Sequence, residues 1–209
     1  MTTALLVSGA CLLSAADSQE ESNAPGFRPR SEFTDTFLER LDTSRISVLP
    51  TVIRTKTTTT FSKASQNAVV DFLKEHRLGL PMAQKADLEM GGLSGKYQFE
   101  WFQSDRRRLG EFIKTQSGAD YYMALEFLVP KSPSGEIAIF GVHVYVLDAN
   151  GENAFSFLLN AHHKTFFEAR LKSADSTEEG CEALVLKATD LALDALLQQI
   201  EQARHRKSK

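Results

Sequence analysis

The sequence predicts an α/β domain: a two-layer sandwich whose mixed sheet follows the order β-α-β-α-β-β-β-α. Three observations carry this. The spacing of apolar residues switches between period two and the helical period along the chain, as it does where strands and helices alternate. Ala119 to Phe167 holds three β-rich runs separated by two turn sequences, which reads as a three-stranded antiparallel meander. The chain then closes on a long helical stretch.

The first residues read as an export signal. Ala4 to Ala16 is uncharged and ends in the small residues Ser14, Ala15 and Ala16, so residues 1–16 are expected to be a signal peptide cleaved before Asp17. Ser8 stands where lipid-attachment sites usually carry Leu, which favours simple cleavage over lipidation of Cys11. Residues 17–31, with Pro25, Gly26 and Pro29, form a polar linker. A single domain is expected over 32–203, followed by a basic tail at 204–209.

Within the domain, Phe33, Phe37, Leu38 and Leu41 recur at helical spacing and predict a short amphipathic helix over Glu32 to Leu41. Ile46 to Ile53 is β-branched, and Pro50 inside it predicts a bulge or an edge. Thr57 to Thr60 reads as a loop. Ser62 is placed to cap a helix with Ala68, Val69, Phe72 and Leu73 inward, ending near Gly79. Leu80 to Ala83 reads as a short strand, and a helix starting at Ser104 turns Leu109, Phe112 and Ile113 inward and ends at Gly118.

In the meander, Ala119 to Val129 places Tyr121, Met123, Leu125, Phe127 and Val129 on one face. Lys131 to Glu136 is a turn, and Ile137 to Leu147 is apolar on both faces, as a central strand is. Asp148 to Gly151 reverses the chain, and Asn153 to Phe167 reads as the third strand with Phe155, Phe157, Leu159, Ala161, His163 and Phe167 together. Ser176 and Glu179 form a capping box for the final helix, whose inward residues are Leu184, Ala188, Leu191, Ala195 and Leu196.

The run Ile46, Ser47, Val48, Leu49, Pro50, then Gly118, Ala119, Asp120, Tyr121 opening a strand, then Val146, Leu147, Asp148 and Gly151 at a hairpin resembles a group of bacterial envelope proteins. These are the TolB amino-terminal domain, the penicillin-binding-protein activator lipoproteins and the curli-secretion lipoprotein family. The similarity covers about Ile46 to Ala203 in element order. It implies an envelope protein that binds other envelope proteins and is not an enzyme.

Composition and motifs narrow the chemistry. The 209 residues are 42% hydrophobic and 24% charged with a net charge of −3, which suits one globular domain and excludes a collagen-like, wholly disordered or membrane-bundle chain. No strongly basic total points to nucleic acid as a partner. GGLSGK at 91–96 has Met90 where a phosphate-binding loop needs its first Gly and Tyr97 where it needs Ser or Thr, so it reads as a surface loop. His162 and His163 are adjacent, hence on opposite faces of a strand, with His163 toward the core and His162 exposed. His143, alternating with Tyr145, reads as a core histidine. Cys181 lies among Glu178, Glu179 and Glu182, which oppose a thiolate. The triplet Arg106, Arg107, Arg108 reads as a solvated helix face. No metal and no cofactor is expected, and the sequence holds neither a Gly-x-Ser-x-Gly elbow nor a His-Glu-x-x-His pair.

The expected partner-binding residues are Tyr97, Phe99 and Trp101. In Lys96 to Gln103 they alternate with Gln98 and Glu100, share one face of an extended segment, and sit in a long connection of the kind that carries recognition. The resulting expectation is an exported, periplasmic or extracellular domain that binds an envelope protein, with no nucleic acid and at most a peripheral association with the membrane. Two alternatives stay open: a hydrolase or transferase whose site is assembled from scattered residues, and a binder of a small apolar ligand in a pocket beneath the meander.

Overall fold

The computed structural model describes residues 31–54, 59–84, 109–129 and 135–207. Ser31–Arg40 forms α1, continued by a 3-10 turn at Leu41–Thr43. Arg45–Val48 (β1) and Thr51–Arg54 (β2) follow, then Thr59–Ser62 (β3), Lys63–Glu75 (α2) and Leu80–Ala83 (β4). Residues 109–114 are helical (α3). Tyr121–Leu128 (β5), Ile137–Ala138 (β6), Gly141–Asp148 (β7) and Asn153–Asn160 (β8) lead to Lys164–Glu168 (α4), Lys172–Ser173 (β9) and the 30-residue helix Glu178–Lys207 (α5).

β5 is the centre of the sheet. It pairs antiparallel with β7, which pairs antiparallel with β8, so the expected meander is present. Its other edge pairs in parallel with both β1 and β2. Ile46 lies opposite Tyr121 and Val52 opposite Glu126, so six steps along the β1–β2 chain answer five along β5. The extra residue is the bulge expected at Pro50, which lacks the N–H a continuous ladder would need. Beyond it, β4 extends the β1 half in parallel and β3 extends the β2 half antiparallel.

Helices α1, α2 and α5 cover one face, hereafter the first face. Phe37, Val69, Leu73, Val185, Ala188, Leu193 and Leu196 meet Tyr121, Met123, Leu125 and Phe127 there, matching the predicted inward residues of β5. The stripe of α5 also takes in Val185, Ala192, Leu193 and Ile200, while Leu191 and Ala195 are only partly buried. Ser62 caps α2 as expected, its Oγ accepting the Ser65 N–H at 2.9 Å. Ser65 is bonded in turn to Thr51 at 3.2 Å and to Thr189 of α5 at 2.7 Å, which ties both helices to the bulge region. Arg204 reaches Asp42 at 2.7 Å and fixes the far end of α5 to the 3-10 turn.

Several local expectations are corrected. Thr59 and Thr60 belong to β3 rather than a loop, because the strand pairs with β2. Ile137–Ala138 leaves the central strand and forms a separate two-stranded ribbon with β9. The third meander strand stops at Asn160, whose Oδ1 accepts the His162 N–H at 3.0 Å and turns the chain. His163 is therefore exposed at the start of α4, its Nδ1 accepting the Asn160 N–H at 3.3 Å, and Phe167 is exposed as well. The last helix is capped by Thr177, whose Oγ1 accepts the Gly180 N–H at 3.1 Å, so the expected Ser176 box is displaced by one residue. The signal segment, most of the linker, GGLSGK and the arginine triplet lie outside the described residues.

Candidate functional site

The opposite face of the sheet, the second face, is organised differently. α3 covers part of it: Leu109 and Ile113 pack with Leu49, Val52, Tyr122, Ala124, Tyr145 and Leu147. The fit is close because two glycines meet, Gly110 against Gly151 in the β7–β8 turn. Next to this apolar patch lies a buried polar group. Arg54 Nε is 3.2 Å from Glu126 Oε1, and His143 lies opposite Glu126 in the β5–β7 register. The His143 and Tyr145 rings meet edge-on with centroids 5.1 Å apart. His143 is thus a core histidine, as expected, set beside a carboxylate in a packed face rather than in an open cleft.

Residues paired across a ladder project to the same face, which places the exposed apolar side chains. Phe61 pairs with Val52, Leu80 with Arg45, Met82 with Ser47 and Leu158 with His143. All four therefore belong to the second face, where they are 38% to 59% exposed and surround the buried patch. Four strand-borne apolar residues exposed on one face, around a patch that is itself covered by a short helix, make this the candidate docking surface.

The expected binding residues Tyr97, Phe99 and Trp101 lie outside the described residues. Their connection leaves the second face at Gln84 and returns to it at Leu109. The point of departure is firmly held. Gln84 donates its N–H to Val48 O at 2.8 Å, its side-chain oxygen accepts from Ser47, and its carbonyl accepts from Gln66 of α2 at 2.8 Å. Nothing in the sequence around these four exposed residues marks them as a common surface. Leu80 to Ala83 reads as a short strand in the sequence, but the neighbouring strand that fixes which face its residues take is far away in the chain.

The outer edge of β4 does not favour strand addition. Leu80 and Gln84 direct their N–H groups at β1, so Pro81 and Ala83 point outward, and proline offers no donor there. Docking on this face would use side chains rather than a new ladder.

Cys181 is half-buried on α5, and burial pushes its thiol up from the ordinary range, with Glu182 and Glu178 adding to the effect. It is poorly suited to nucleophilic work. Among the described residues no group of three or more His, Cys, Asp or Glu side chains is placed to hold a metal ion, and no described helix is long and apolar enough to cross a membrane.

No protein-family model matches the chain, and no curated protein matches it significantly. Among solved structures, it is similar to lipoprotein GNA1162 from Neisseria meningitidis, with 11% identity, a TM-score of 0.33 and coverage of 75% of this chain and 96% of that one. It is also similar to the hypothetical protein CT253 from Chlamydia trachomatis, with 17% identity, a TM-score of 0.34 and coverage of 76% and 98%. At these scores the likeness is a vague α/β one to a lipoprotein, and no functional argument rests on it.

Proposed function

We propose that the chain is an exported domain of the bacterial cell envelope that binds another protein through the second face of its sheet. The observation that supports this reading is the set Phe61, Leu80, Met82 and Leu158, all strand-borne, all exposed and all on one face. The connection carrying Tyr97, Phe99 and Trp101 starts and ends on that same face, and aromatic residues of this kind are the usual anchors of protein interfaces. The uncharged stretch Ala4 to Ala16 supports export.

Site-specific photo-crosslinking in native cells tests the proposal. A photoreactive residue at Met82 or Leu158 should yield an adduct of the same mass, while one at Gln198, on the exposed side of α5, should yield none. Trp101→Ala should weaken the adduct at both positions by an amount equivalent to about 2 kcal/mol or more while leaving the thermal midpoint unchanged. Equal labelling from Gln198, no adduct from the second face, or a loss of about 3 to 5 kcal/mol of stability in Trp101→Ala, the signature of a core truncation, would overturn it.

A further inference from the structure

A second feature is a groove of about 490 Å³ at the amino ends of β1 and β5, within the size range of ligand sites. One wall is α1 and the 3-10 turn, with Thr36, Arg40, Thr43 and Ser44; the others are Asp120 and Tyr121 at the start of β5, and Asp148, Ala149 and Asn150 in the β7–β8 turn.

Its walls are fixed before anything binds. Thr34 Oγ1 donates to Ala154 O at 2.9 Å, and the Phe37 and Tyr121 rings meet edge-on at 4.9 Å, so α1 is pinned to β5 and β8. Asp148 Oδ1 accepts the N–H groups of Asn150 and Glu152, each at 2.9 Å. Asp120 accepts the Arg45 N–H at 2.8 Å. A preformed groove spares a ligand much of the ordering cost of binding.

The polar groups define the chemistry it suits. Thr43 and Ser44 already donate their hydroxyl protons to Arg40 O, at 3.2 and 2.8 Å, so toward the groove their oxygens are acceptors. Asp148 adds a carboxylate. Donors come from the Arg40 guanidinium, the Asn150 side-chain amide and the Tyr121 hydroxyl, which burial holds in its protonated form. Of the charged lining residues, Asp120 is already engaged by Arg45, whose guanidinium lies 3.4 Å from it, which leaves Arg40 against Asp148, so an anionic ligand would be opposed by Asp148 and a cationic one by Arg40. Groups that donate and accept at once, without charge, match this wall. Hydroxyls are such groups. We propose that this groove binds a neutral polyhydroxylated ligand, a short stretch of carbohydrate chain, with Arg40 and Asn150 donating to its oxygens and Asp148, Thr43 and Ser44 accepting from its hydroxyls. This site is separate from the docking face and does not depend on it.

The test is an amide chemical-shift titration of the full chain with three separate probes: chitotetraose, cellotetraose and inorganic phosphate. Saturable shifts with at least one oligosaccharide are expected, clustered at Thr36, Thr43, Ser44, Asp120, Tyr121 and Asn150, with none of these from phosphate. Arg40→Ala and Asn150→Ala should each weaken that binding by about tenfold, the scale of one hydrogen bond to a ligand in a shielded site, with unchanged spectra elsewhere. Absence of saturable shifts with both oligosaccharides, shifts centred outside the groove, or saturation by phosphate alone would overturn the proposal.

Discussion

Arg54 and Glu126 face one another across neighbouring parallel strands at 3.2 Å, with side chains only 3% and 0% exposed. Neither charge is shielded by water, so each depends on the other and on the polar groups around them. The pair lies under the second face, and the β2–β5 register that holds it is set by the bulge at Pro50.

Breaking the pair should be far worse than replacing it. Arg54→Met or Glu126→Leu alone should cost about 3 to 5 kcal/mol, because each leaves an uncompensated buried charge, whereas the double replacement should recover most of that loss. Urea denaturation of the four proteins checks this. Additive losses in the double variant would show that the partners act independently.

Gly151 should be intolerant of a side chain. Its φ is +76°, and a Cβ there would lie 2.6 Å from the Gly110 backbone; Gly118, with φ +99°, has open space around it. Both Gly→Ala changes carry the strain of a left-handed backbone, at least about 1 kcal/mol, but only Gly151→Ala also pushes α3 off the sheet. Its denaturation midpoint should therefore fall further than that of Gly118→Ala, with a change in near-ultraviolet dichroism from Tyr122 and Tyr145.

Acid should weaken the junction of β1 and β5. The Arg45 backbone N–H bonded to Asp120 holds that carboxyl below its usual range, with the Arg45 guanidinium contributing less. A depressed folded pKa means that the unfolded chain takes up the proton first, so this contribution is complete above the ordinary Asp value of about 3.9, declines as pH falls below it, and is lost as pH passes through the lower folded value. Because Asp120 is half-exposed the effect should stay under about 1 kcal/mol. Asp120→Asn should accordingly lower stability at neutral pH and flatten its decline in acid, measured by denaturation at a series of pH values.

Cys181 should alkylate more slowly at neutral pH than an unhindered thiol, since burial and the neighbouring glutamates delay thiolate formation until more alkaline pH. Cys181→Ser should change stability by less than about 1 kcal/mol and leave any binding intact. Rapid labelling at neutral pH would contradict this assignment.

Local features were legible because their causes are local. The alternation in Tyr121 to Val129 marks a strand whose odd residues face the helices, Ser62 lies one residue before its helix, Asp148 to Gly151 supplies the turn residues a hairpin requires, and Pro50 interrupts a ladder wherever it sits. These signals determined the α/β class, the meander and the closing helix.

What the sequence could not decide depended on neighbours distant in the chain. Glu126 looks like an outward residue of a period-two strand, yet it is buried, because Arg54 arrives beside it from 72 residues away. His163 was expected in the core because the strand pattern continues through it. The Asn160 side chain instead closes a turn there, and no partner strand extends the pairing. Which face Phe61, Leu80, Met82 and Leu158 take follows from pairing register alone: a shift of one residue would move them all to the other side. Propensity and pattern set which segments become strands and helices, while tertiary pairing set which strand lies beside which, and with it the buried ion pair, the exposed apolar face and the groove at the sheet's end.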